Sequence, residues 1–177
     1  MFTLILGGTG SGKSALAEAL VQSQPGPRVY VATMQPFDAE CRARIQKHRA
    51  QRAGGGFATL ECYTAPALLA AALPPQSSVL LECLSNLVAN ELYDPARAAP
   101  DAREAVKSVL ALLPRCQNLT VVTNEVFCGG DRYEGDTLRY LRELARANRA
   151  LAARADAVAE AVCGLPNLLK GELQWPC

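Results

Sequence analysis

Charge of either sign is scarce in excess: 18 basic against 17 acidic residues leave the 177-residue chain at +1. No global field therefore draws it to nucleic acid or an anionic membrane, and any basic patch must be local. There is a single histidine, and no C-x-x-C pair occurs among the seven cysteines at 41, 62, 83, 116, 128, 163 and 177. Close metal-ligand spacing is thus missing, which argues against a structural zinc site. The odd number and wide scatter of the thiols argue against a disulfide framework and favour reduced, buried cysteines. No apolar run approaches membrane-spanning length. The opening MFTLIL is too short for a signal-peptide core and lacks a basic flank. These absences lead to the expectation of a cytoplasmic protein without a membrane span.

What is present suits one globular domain over residues 1–177: half the residues are hydrophobic and a fifth are charged. Gly54–Gly56, Pro74-Pro75 and the segment DPARAAP at 94–100 punctuate the chain as loops, none long enough for a domain linker. Candidate strands are Phe2–Leu6, Arg28–Thr33, Ala58–Tyr63, Ser78–Cys83, Leu119–Asn124 and Asp156–Cys163. Helical patterns lie near 13–22, 38–52, 66–73, 84–92, 101–113 and 137–154. Runs such as VYVAT, VLLEC and LTVVT are apolar without clean alternation, as expected when both faces of a parallel sheet are covered. The alternating order predicts an α/β fold of the P-loop NTPase type: an open, mostly parallel sheet with helices on both faces.

Gly7-x-x-x-x-Gly12-Lys13-Ser14 is the full G-x-x-x-x-G-K-[ST] pattern, with a strand before it and the helical ALAEAL after it. Glycines let the backbone wrap so that N–H groups point at phosphate oxygens, aided by the following helix N-terminus. Gly7, Gly8, Thr9, Gly10, Ser11 and Gly12 would cradle phosphate. Lys13 would reach the outer phosphates, and the Ser14 hydroxyl would ligate Mg²⁺. A nucleoside triphosphate site follows; ATPase, GTPase, kinase and nucleotidyl transferase all remain compatible with it.

The lone histidine lies in DAECRARIQKHRAQR, residues 38–52. As a helix this segment sets Phe37, Cys41 and Ile45 on one stripe. At about 100° per residue, His48 falls at the edge of that stripe, among Arg44, Lys47, Arg49 and Arg52. A cationic helix is most often a solvated face, and a lone histidine is most often structural. Nucleic-acid contact ranks low, because interleaved aromatics are absent. The chemical reading is a histidine nucleophile, which reacts from its neutral form. Flanking arginines disfavour a protonated imidazole in general, and they hold phosphates and stabilise developing charge. A phosphoramidate intermediate at His48 is then sensible chemistry. Asp38 and Glu40 precede the helix, where negative charge suits the N-terminal dipole.

Glu82 ends SVLLE and Glu125 follows LTVVTN. Acidic residues at the carboxyl ends of buried parallel strands are well placed to meet Mg²⁺ beside a phosphate loop. For Glu125 a metal role and simple capping are evenly balanced, and for Glu82 metal and nucleotide contact are rival roles.

GGTGSGKS, VYVAT, the spacing Arg44-Ile45-x-x-His48-x-x-x-Arg52, TLEC, VLLEC and VTNEV together resemble a known family. It is the bifunctional adenosylcobinamide kinase / adenosylcobinamide-phosphate guanylyltransferase of cobalamin biosynthesis. The similarity runs from residue 1 to about 125 and resumes at Asp156 with ADAVAEAVCGLPNLLKG. The R-I-x-x-H-x-x-x-R helix is its most specific element. The resemblance implies phosphorylation of the aminopropanol hydroxyl of adenosylcobinamide by ATP or GTP. It further implies GMP transfer from GTP through a guanylylated His48 to give adenosylcobinamide-GDP. It places Ala32, Thr33 and Met34, then Arg49, Ala50, Gln51 and Arg52, along the nucleotide, with Glu61 and Glu82 as further contacts. It also implies a homotrimer. Two departures stand out: Gly10 replaces a common arginine, and FCGGDRYEGDTLRY after VTNEV lacks the usual proline. A P-loop kinase of another small metabolite, or a nucleotide-dependent switch protein, is the alternative to this reading.

Overall fold

The structure, a computed structural model, describes residues 1–96, 101–127 and 133–176, except for the side chain of Gln51. Its elements are β1 (Phe2–Gly7), α1 (Lys13–Ser23), β2 (Arg28–Ala32), α2 (Ala39–Arg52), β3 (Phe57–Glu61), β4 (Ser78–Glu82), α3 (Leu84–Leu92), α4 (Ala102–Leu110), β5 (Asn118–Asn124), α5 (Gly135–Arg154), β6 (Ala157–Val162) and β7 (Leu165–Lys170). The strands form one seven-stranded sheet in the order β3-β2-β4-β5-β1-β6-β7. All neighbours pair in parallel except β6 with β7. The expected open, mostly parallel sheet is what the chain forms.

The missing alternation in the strand sequences has a simple cause. Successive side chains point to opposite faces of a strand, and here both faces are covered. Leu4, Val29, Leu81 and Val121 pack with Leu87, Ala105, Val109 and Leu144 from α3, α4 and α5. Their neighbours Ile5, Tyr30, Leu80 and Val122 pack on the other face with Ala17, Leu20 and Val21 of α1. Each strand residue is therefore apolar whichever way it points, and burial is nearly complete at all eight strand positions.

Three local expectations are corrected. Residues 66–73 form only a 3₁₀ turn, Pro66–Ala71; six residues are too few for a stable α-helix without heavy packing. The helix expected over 101–113 ends at Leu110, and Pro114 sits in a separate 3₁₀ turn, Leu113–Arg115, because proline cannot continue the ladder. Phe37, expected on a buried stripe, is 73% exposed. It precedes the helix start, where the Asp38 side chain accepts a 2.7 Å bond from the Cys41 N–H and caps α2.

The last strand, β7, was not anticipated as a separate element. A two-residue turn, Cys163 (φ 52°) and Gly164 (φ 80°), folds it back on β6. Positive φ at both central positions is the geometry of tight hairpins. Lys170 at its end reaches the carboxyl terminus of α5. Its Nζ donates to the carbonyls of Ala152 (3.0 Å), Ala153 (3.1 Å) and Ala155 (2.6 Å). These acceptors lack helical partners and carry the negative end of the helix dipole. Lys170→Met is expected to lower stability by about 1 kcal/mol, seen as a lower urea midpoint at unchanged slope. An unmoved midpoint would show that Lys170 does not anchor the strand.

Candidate active site

Parallel strands deliver their carboxyl ends to one edge of the sheet. Gly7 of β1 lies in register with Asn124 of β5, and Ala32 of β2 with Glu82 of β4. Above that edge opens a cleft of about 740 Å³. Its floor is the loop from Thr9 to Ser14 with the first turns of α1, and its roof is the basic face of α2.

The loop takes its shape from close contacts that only glycine permits. A Cβ on Gly7 would sit 2.5 Å from Ser11 Oγ, and one on Gly12 (φ +90°) would sit 2.8 Å from Gly164 Cα. The Gly164 N–H also donates to the Ser11 carbonyl at 2.9 Å, so the β6–β7 turn braces the loop from below. Lys13 Nζ donates to the Gly8 carbonyl at 3.0 Å. Burial lowers the pKa of its ammonium, with the Glu82 carboxylate acting in the opposite sense. The Ser14 hydroxyl donates to Glu82 Oε1, tying the start of α1 to the end of β4.

Most of the expected site residues meet here. Thr9, Gly10, Ser11, Gly12, Lys13, Ser14, Ala32, Met34, His48, Arg49, Arg52, Glu61 and Glu82 all border the cleft. Gly8 contributes the carbonyl that holds Lys13, and Gly7 closes β1 beneath the loop. Four expected positions lie elsewhere or are not described. Thr33 is fully buried; its hydroxyl donates to the Cys83 carbonyl and accepts from the Cys83 N–H, which stitches β2 to β4. Ala50 is on the exposed side of α2. Gln51 is in α2, but its side chain falls outside the description. Glu125 does not border the cleft, and its Oε1 accepts from the Phe127 N–H at 2.9 Å. Asn124, one residue earlier, takes the cleft position at the end of β5. The loop after it, 128–132, lies outside the described residues.

Electrostatically the cleft mixes cations and carboxylates. Arg49 pairs with Glu61, whose second oxygen accepts from the Tyr63 hydroxyl at 2.7 Å. The Arg52 guanidinium stacks 3.4 Å over the Tyr30 ring, a cation–π contact that holds a buried arginine in place. Burial and the nearby Glu82 charge push the Tyr30 phenol up, so it stays neutral. His48 sits within 4.8 Å of both Glu18 and Glu82, measured between potential ligand atoms. Glu18 is a cleft residue the sequence reading missed. Its signal was its spacing: four residues beyond Ser14 puts it on the same face of α1.

Burial first, then the neighbouring Glu82, raises the Glu18 carboxyl pKa to about 7, against a pull downward from Arg52. Between the ordinary carboxyl value of 4.5 and about 7 the unfolded chain loses this proton while the folded chain keeps it. Glu18 therefore subtracts stability as pH rises through that window and adds no further loss above it. In metal-free, nucleotide-free protein, Glu18→Gln should raise the melting temperature relative to wild type more at pH 8 than at pH 5. Equal differences at the two pH values would contradict the shift.

The comparisons with known proteins bear directly on this cleft. Residues 3–169 match the family described as "Cobinamide kinase / cobinamide phosphate guanyltransferase". The chain is 37% identical to the "Bifunctional adenosylcobalamin biosynthesis protein CobU" of Salmonella typhimurium, over 96% of this chain and 100% of that one. It is 38% identical to the "Bifunctional adenosylcobalamin biosynthesis protein CobP" of Pseudomonas aeruginosa, over 97% and 99%. The Escherichia coli protein of the same description as the first is 35% identical over 96% and 100%. Such coverage takes in the phosphate loop, α2 and the closing hairpin together, and the chain belongs to the bifunctional cobinamide kinase / cobinamide phosphate guanyltransferase family of enzymes.

Proposed function

We propose that one cleft carries out two successive transfers on adenosylcobinamide. In the first, the aminopropanol hydroxyl oxygen attacks the γ-phosphorus of ATP or GTP, and the nucleoside diphosphate leaves. In the second, a His48 imidazole nitrogen attacks the α-phosphorus of GTP and pyrophosphate leaves. A phosphate oxygen of adenosylcobinamide phosphate then attacks the guanylylated histidine. Adenosylcobinamide-GDP forms and the imidazole is released. The observation that carries this reading is the placement of His48 on α2 across a single cleft from Lys13 and Ser14.

Each neighbouring group has a task in this scheme. Loop N–H groups from Thr9 to Ser14 bind phosphate, and Lys13 offsets charge on the oxygens of the transferred group. Arg49 and Arg52, beside His48, hold the phosphates about the attacked α-phosphorus. Ala32, Met34 and Glu61 border the space left for the nucleoside. Ser14 and Glu82 are the fitting holders for Mg²⁺: Glu82 Oε2 is shielded from solvent and has no hydrogen-bond partner, next to a serine hydroxyl. These are hard oxygen donors of the type Mg²⁺ prefers. When bound, the ion neutralises triphosphate charge. Glu125, turned toward Phe127, is the weaker candidate for that role.

The reading extends to a cytoplasmic homotrimer. No helix among the described residues is long and apolar enough to cross a membrane. Leu165, Leu168 and Leu169 of β7 are exposed and available for subunit contact. Light scattering should give a trimer mass; a monomer at micromolar concentration would refute that part.

Incubation with α-³²P-GTP and Mg²⁺ should leave acid-labile, base-stable label on denatured wild-type protein and none on His48→Ala. Label that survives the substitution, or no label on wild type, would refute the histidine route. Lys13→Ala should lower phosphoryl transfer to adenosylcobinamide by roughly a hundredfold or more, the scale of losing one transition-state contact.

A further inference from the structure

Three residues converge in the cleft, and each has a buried polar atom left unsatisfied. Glu18 Oε1, Glu82 Oε2 and His48 Nδ1 are each shielded from solvent, and none has a hydrogen-bond partner. One ligand atom from each of these residues lies within 4.8 Å of the others. Glu18 is only 8% exposed, yet this carboxyl oxygen is left unpaired in a residue of the group. A buried unpaired carboxyl oxygen costs free energy, and here two carboxylates and an imidazole of one cluster share that condition.

We propose that Glu18, His48 and Glu82 form a binding site for a first-row divalent transition cation such as Zn²⁺, distinct in chemistry from the Mg²⁺ that accompanies a triphosphate. The donor set is one nitrogen and two carboxylate oxygens, which imidazole-preferring cations favour and Mg²⁺ does not. Nearby positive charge sharpens that choice. Arg52 acts on Glu18, and Lys13 lies close to Glu82. A cation held by charge alone gains least beside them, whereas one that bonds the imidazole nitrogen gains most. Zinc bonds of about 2.0–2.2 Å are reached from the present spacing by side-chain rotation of Glu18, which the length of glutamate permits.

Occupancy has a direct consequence. A His48 lone pair donated to the cation is not available to attack phosphorus, and Glu82 Oε2 is no longer open to Mg²⁺. The site is thus an inhibitory one, in which a transition cation holds the nucleophile until a nucleotide displaces it. This consequence rests on the guanylylation reading; the binding itself does not.

The test uses the metal-free full chain titrated with Co²⁺ and followed by visible absorption. Bands of four- or five-coordinate Co²⁺ should appear and be abolished by added Zn²⁺. Glu18→Gln and His48→Gln should each raise the half-saturating Co²⁺ concentration by roughly tenfold or more, with melting curves confirming that both variants fold. A strong near-ultraviolet thiolate-to-cobalt band, or bands equally strong in both variants, would put the cation on cysteine or elsewhere and overturn the proposal. Zn²⁺ added before α-³²P-GTP should suppress labelling of wild type at low GTP, and rising GTP should restore it; suppression that no GTP concentration relieves would overturn displacement by nucleotide. Co²⁺ binding that depends on Glu18 and His48, in a protein that never labels, would support the site while removing the guanylylation reading.

Discussion

Register in a parallel sheet is the constraint on which this enzyme depends. Because β1, β5, β4 and β2 run the same way and end nearly together, Gly7, Asn124, Glu82 and Ala32 emerge at one edge. Every other arrangement in the cleft follows from that alignment. The loop after β1 can turn directly into α1, and the Ser14 hydroxyl then finds Glu82 two strands away. A one-residue slip of β4 would turn Glu82 toward the opposite face. The Ser14–Glu82 bond therefore holds only in this register, in which Leu81 and Leu80 fill the two opposite packed layers.

Against this well-packed base, α2 is a different kind of element. Among its described side chains only Arg52 is buried, and that residue lies over Tyr30 rather than in an apolar layer. The helix is held by its Asp38 cap, by the Arg49–Glu61 pair and by Arg52. Exposed ion pairs contribute little. The element that carries His48 thus has little hydrophobic anchorage, a usual distribution for elements that move around ligands.

How much was legible follows from these same elements. The phosphate loop was readable because its backbone geometry demands glycine at fixed offsets, and the sheet was readable because doubly covered strands are continuously apolar. His48 was conspicuous as the only histidine in a basic helix. Glu18 was overlooked because ALAEAL reads as helix filler; only the four-residue step from Ser14 reveals its direction. Thr33 was expected at the nucleotide on the strength of the family resemblance, whereas its hydroxyl serves both backbone groups of Cys83 across the sheet. Such pairing between distant segments leaves no local trace. Strand β7 was hidden for a related reason: its turn uses Cys-Gly where Asn-Gly would have announced a hairpin, and Pro166 obscures the strand pattern.

The contact between Gly12 and Gly164 joins segments far apart in the chain. The two glycines meet so closely that neither a side chain nor a water fits between them, and the Gly164 N–H completes the loop through the Ser11 carbonyl. The geometry of the phosphate loop is thus a long-range property of the sheet: it leans on a turn that lies beyond β6, and a contact of such sequence separation forms only once the entropy of closing the intervening chain has been overcome.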